Sequence, residues 1–148
     1  MKKYLTLLSI AVGALLVTSA SFAQVMAPKS DQLYKAFGEK VGLVALMDDF
    51  MVRLLADART GPHFAPSNQQ HVKEQLVEQL CAVSGGPCVY KGADMKSSHA
   101  NLEIKKSDFH ALVEVLQASM EAKGIAFSKQ GEMLALLAPM HRDIITPR

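Results

Sequence analysis

No stretch of this sequence alternates apolar and polar residues at a period of two, and no segment of it repeats. The first absence argues against half-exposed strands and the second against a solenoid or propeller. Glycine (9) and proline (6) are too few, and apolar residues at 49% too many, for a disordered or fibrous chain. An excess of charge of one sign is also missing. Lys and Arg total 16 against 14 acids, and without Lys2 and Lys3 at the amino terminus the balance is 14 against 14. A chain so close to neutral carries no electrostatic footprint for nucleic acid or an anionic membrane.

The common catalytic signatures are absent too. There is no G-x-S-x-G, no H-E-x-x-H, no C-x-x-C-H and no flavin or nicotinamide fingerprint. His141-Arg142-Asp143 copies a kinase triplet, but near the carboxyl end and without a glycine-rich loop. His63, His71, His99, His110 and His141 include no pair at zinc-ligand spacing on one helix. Asp48 and Asp49 occupy successive helical positions, so their carboxylates do not face each other and are expected to be solvated.

What is present begins with a leader. Lys2 and Lys3 precede an apolar stretch, LTLLSIAVGALLV, which ends at Ser21-Phe22-Ala23 with small residues where a signal peptidase cuts. Residues 1–23 thus read as a secretory signal peptide, which places the protein outside the cytoplasm, in the periplasm. The remaining 24–148, about 125 residues, suffice for one domain with one core and no membrane anchor. In an exported chain the only two cysteines, Cys81 and Cys88, read first as a disulfide, since two thiols without a second Cys or His pair make a poor zinc site.

The periodicity is helical. Val44, Met47, Met51, Leu54 and Leu55 share a face, as do Val72, Leu76 and Leu80; Leu112, Val113, Leu116 and Met120; and Met133, Leu137, Met140 and Ile144. Breakers at Gly61-Pro62, Pro66, Gly85-Gly86-Pro87 and Gly124 separate them, and Ser67, Ser107 and Ser128 stand where N-caps are wanted. The pattern predicts an all-α domain with helices near 31–37, 42–57, 68–83, 107–122 and 129–145. The segment from Gly85 to Ser107 is too irregular for a long helix and too long for an idle loop, and it contains His99. Taken alone, His99 could be a solvated side chain or a ligand.

The ordered set Gly85, Gly86, Pro87, Tyr90, Gly92, Met95 and His99, with LYKAFGEKVGLVALMDDFMVRLLAD, HFAP and LLAPMHRDII around it, resembles the group I truncated haemoglobins. The likeness spans about residues 32–146 and implies a two-over-two helical globin that holds haem b. It makes His99 the proximal ligand of the haem iron, through one ring nitrogen while the other donates to a carbonyl. It further implies that Phe64 packs on the macrocycle, that Phe50 covers the distal side, and that Met95, Ile104 and Phe109 wall the proximal side. Phenylalanine and methionine at helical spacing are otherwise ordinary core residues.

The departures concern the distal side. Where many members carry a tyrosine this chain has Met51, and where many carry a glutamine it has Leu76, with Val72 one turn earlier. The nearest polar candidates are His71, as donor or sixth ligand, and Gln75. An apolar pocket of this kind lacks a donor for the partial negative charge on bound O2. Gly38 is followed by Glu39 where the family has a second glycine. The resemblance implies reversible binding of O2, NO or CO, as carrier, sensor or scavenger. A haem enzyme such as an NO dioxygenase or peroxidase is the alternative, and it needs a redox partner to return the iron to the ferrous state.

Overall fold

The computed structural model describes residues 30–146, and the leader reading of residues 1–23 falls outside them. Among the described residues the chain forms α1 (Gln32–Ala36), α2 (Glu39–Ala56), α3 (Gly61–Phe64), α4 (Gln69–Val83), α5 (Met95–His99), α6 (Lys106–Ala122) and α7 (Phe127–Leu137). A 3₁₀ turn at Ala138–Met140 and α8 (His141–Ile144) follow, and no strand occurs among the described residues. The fold is all-α, as the periodicity predicts. The α2–α4 pair lies against the α6–α7 pair, the two-over-two arrangement, with α1 bridging α2 and α7.

Local chemistry explains where the helices start, and it differs from the expectation in several places. α2 begins at Glu39 rather than near residue 42, because Gly38 (φ 76°) and Glu39 (φ 58°) both take left-handed dihedrals and complete the turn early. Glu39 therefore adopts the backbone of a second glycine without being one. α4 is capped by Asn68, whose side chain accepts the His71 N–H at 3.1 Å, and not by Ser67. At α6 the Asp108 carboxylate reaches back to the Lys105 N–H at 2.9 Å, while Ser107 lies inside the helix. α7 starts at Phe127 without a side-chain cap, so Ser128 is also inside it. The residues that precede α4 and α6, Asn68 (ψ 94°) and Lys105 (ψ 165°), are extended, and that conformation rather than residue type alone selects the start.

The single helix expected over 129–145 is broken. Pro139 has no N–H to donate, and the chain tightens into the 3₁₀ turn before α8 resumes the helix. The short helices α3 and α5 stand where only breakers and irregular chain were expected.

Leu43, Leu46, Met47 and Leu54 of α2, Met120 of α6 and Met133 of α7 are fully buried and form the centre of the core. Val44, expected inside, is 38% exposed, whereas Leu43 and Leu46 are buried, so the α2 stripe is centred one residue away from the predicted face. Cys81, in the last turn of α4, is disulfide-bonded to Cys88 with a Cα–Cα separation of 5.7 Å. The bridge closes the corner at which α4 gives way to the segment that leads to α5. Gly85 (φ 91°) makes the turn, and a Cβ at Gly86 would collide with Cys81 Sγ and the Tyr34 ring. No helix of the described residues is long and apolar enough to cross a membrane.

Candidate functional site

A cavity of about 650 Å³ opens between α2 and α4 on one side and α5, α6 and α8 on the other. That volume is in the range of cofactor sites, roughly 300–1,000 Å³. Phe50 and Met47 from α2, with Val72 and Leu76 from α4, make one wall. Met95, Ile104 and Phe109 line the other, and Phe64 closes one end.

His99 faces this cavity from the last residue of α5. A helix of five residues cannot hold itself in water. Asp94 braces it: the carboxylate accepts the Ser97 N–H at 2.9 Å and the Ser97 hydroxyl at 2.6 Å, and these donors hold the Asp94 carboxyl below the usual range. The Ser98 hydroxyl donates to the Asp94 carbonyl at 2.7 Å, and α5 rests on α8. His99 Nδ1 lies 2.8 Å from the Met95 carbonyl oxygen. A carbonyl only accepts, so in the neutral imidazole Nδ1 carries the proton and Nε2 has the lone pair available for a ligand.

Of the residues singled out in the sequence, Phe50, Phe64, Val72, Leu76, Met95, His99, Ile104 and Phe109 are brought together on the cavity. Met51 is not. It is 6% exposed and packs in the core cluster without reaching the cavity, whereas Met47, one helical turn earlier and buried in the same cluster, also borders the cavity. One residue along a helix turns a side chain by about 100°, which separates Met51 from the face that Phe50 presents.

Neither polar candidate on α4 lies deep on that wall. His71 is exposed at the rim. Gln75 turns its Oε1 against Gly92 and Tyr90, where the oxygen is buried without a donor.

Three features were missed. Gln79 is buried and lines the cavity, where its Nε2 donates to Met95 Sδ at 3.5 Å and Met140 Sδ at 3.4 Å. It continues the Val72–Leu76 stripe at helical spacing, so periodicity alone would have found it, but its polarity kept it out of an apolar pattern. Tyr90 lines the cavity too, with its hydroxyl donating to the Ala93 carbonyl at 2.9 Å and its pKa raised by burial. His63 Nε2 stands 3.7 Å from Asp108 Oδ2 at the cavity edge, and the Lys105 N–H holds the Asp108 carboxyl low.

Among the described residues no group of three or more His, Cys, Asp or Glu side chains could hold a metal ion. One imidazole with a free Nε2 suits a metal that arrives inside its own chelate, and the apolar walls suit a flat macrocycle. Residues and cavity thus fit haem.

Residues 32–146 match the family profile described as Bacterial-like globin. A group 1 truncated hemoglobin of Tetrahymena thermophila is 26% identical over 117 residues, which are 79% of this chain and 97% of that protein. The group 1 truncated hemoglobin GlbN of Mycolicibacterium paratuberculosis is 31% identical over 114 residues, 77% of this chain and 84% of that one. In the fold, the crystal structure of the Fe(III) form of truncated hemoglobin from Tetrahymena pyriformis superposes with a TM-score of 0.75 at 24% identity, covering 78% of this chain and 98% of that one.

Proposed function

Since the chain belongs to the bacterial-like globins, among the group I truncated haemoglobins, and so to a family of haem-binding proteins, we propose that it holds haem b through His99 Nε2 and reversibly binds O2, NO or CO. The observation that carries this reading is the hydrogen bond between His99 Nδ1 and the Met95 carbonyl, because it selects the neutral tautomer whose Nε2 lone pair serves the apolar cavity. Haem bound there would supply an iron centre able to take up a small gas. The chain supplies the rest.

The Asp94 brace holds α5 in place and the Met95 carbonyl orients the imidazole. Phe64 and Phe109 would pack on the macrocycle, and Val72, Leu76 and Phe50 would keep water from the gas-binding side. With His71 exposed at the rim and Gln75 Oε1 turned to Gly92 and Tyr90, Val72 and Leu76 leave the middle of that side apolar, without a donor for a bound gas. The Cys81–Cys88 disulfide supports an oxidising compartment, in keeping with a leader in residues 1–23 and residence in the periplasm.

The test is the ultraviolet–visible spectrum of the mature protein, oxidised, reduced and CO-bound, beside His99→Gly. A Soret band that shifts with CO is expected. In His99→Gly it should be lost or displaced, and free imidazole should restore it. Haem-replete expression without a Soret band would refute the reading.

A further inference from the structure

Gln79 is a buried primary amide, 9% exposed, and its Nε2 finds only the thioether sulphurs of Met95 and Met140, at 3.5 and 3.4 Å. A thioether is the weakest acceptor a side chain offers, so a buried amide with two such partners has under-used donors. The same two sulphurs are singled out by access. Among the described methionines Met47, Met120 and Met133 are fully buried and Met51 is 6% exposed, whereas Met95 and Met140 are half-buried and line the cavity.

The geometry points to Met95 and Met140 as a peroxide-oxidisable pair whose sulfoxide oxygens are received by the Gln79 amide. In each reaction a sulphur lone pair attacks one oxygen of hydrogen peroxide. The O–O bond breaks and an S–O bond forms. The departing hydroxide takes the proton left on the transferred oxygen and becomes water. Sulphur loses two electrons and the peroxide gains them. The new oxygen is a strong acceptor where the thioether was a weak one. Gln79 is therefore better satisfied after oxidation than before.

The pair sits where such a change reaches the proximal histidine. The Met95 carbonyl holds His99 Nδ1 at 2.8 Å, and Met140 leads into α8, on which α5 rests. A shift of either side chain toward Gln79 moves the support of His99 from both sides.

The experiment treats the mature chain with dilute hydrogen peroxide, locates the added oxygen by peptide mass spectrometry and follows thermal unfolding. One oxygen each on Met95 and Met140 is expected before any on Met47, Met51, Met120 or Met133. Oxidised Gln79→Leu should lose about 4 °C more in Tm than oxidised wild type, because its sulfoxides meet no donor. Gln79→Glu at alkaline pH, a carboxylate that cannot donate, should behave like Gln79→Leu and covers the case in which one variant folds poorly. A Met95→Leu/Met140→Leu protein should show no Tm loss at the peroxide dose that oxidises the pair in wild type. Oxygen spread evenly over Met47, Met51, Met95, Met120, Met133 and Met140, or equal Tm losses with and without the Gln79 amide, overturns the inference. The oxygen map can be read whether or not a Soret band is present, so failure of the haem reading is judged separately.

Discussion

Replacing Leu76 by glutamine places a donor on the apolar wall of the cavity. Leu76 is half-buried in the middle of α4 and lines the cavity beside Val72. Glutamine is nearly as good a helix former as leucine, so the helix itself loses little. A hydrogen bond to a charged or strongly polarised group is worth about 1.5–3 kcal/mol, which corresponds to roughly a ten- to hundredfold change in an equilibrium constant. Most of such a change falls on the dissociation rate. Leu76→Gln is therefore expected to slow O2 release by about ten- to a hundredfold. CO, on which less charge develops, should be released at nearly the wild-type rate. Stopped-flow displacement of O2 by CO measures the first quantity, and displacement of CO by NO the second. Slow O2 release from the wild-type protein that is lost in His71→Leu or Gln75→Leu would refute the reasoning, because one of those side chains would then be the donor this geometry denies.

Three further outcomes follow from the fold. Cys81→Ser/Cys88→Ser opens a loop of about eight residues, which costs about 2.5 kcal/mol in the chain-entropy account, so its urea midpoint should fall while the m-value changes little. Glu39→Gly should stabilise the protein by about 1 kcal/mol, since Glu39 holds φ at 58°, and a lower urea midpoint in that variant would count against strain at this turn. Acid should unfold the protein through its hydrogen-bonded carboxylates. The Arg59 side chain draws the Asp57 carboxyl down to about 2, so its contribution is complete above the unfolded value near 3.8 and is lost as pH falls from there toward 2. Tm measured from pH 5 to pH 2 should drop below about pH 4, and Asp57→Asn should show a smaller drop over the same range.

The helical pattern made the architecture readable because apolar residues recur at 3.6-residue spacing wherever a helix has a face to bury. It could not say what each face is buried against. Leu43, Leu46 and Met120 meet protein and are buried, while Val72, Leu76, Leu137, Met140 and Ile144 follow the same rhythm yet remain half-exposed along the cavity. In sequence the two sets are indistinguishable. The ends of helices were less legible because a cap depends on the backbone as much as on the side chain. Asn68 outcompeted Ser67, and Pro139 divided a helix whose apolar stripe runs on through the break.

The candidate site was legible to the extent that ordered motifs, rather than periodicity, carry it. Gly85 turns the corner, Met95 lends its carbonyl and His99 faces the cavity, each at a fixed distance along the chain from the next. The opposite wall is built by long helices, and there a single position decides whether a residue reaches the cavity, as Met51 shows by packing only in the core while Phe50 beside it also borders the cavity. Correspondence along the chain identifies which residue replaced a tyrosine, but the direction of its side chain is set by the packing of α2 against both α4 and α6. For the same reason the apolar character of the wall made by α2 and α4 does not rest on Met51. It rests on Val72 and Leu76, which stay on that wall, and on Gln75, whose oxygen is turned to Gly92 and Tyr90.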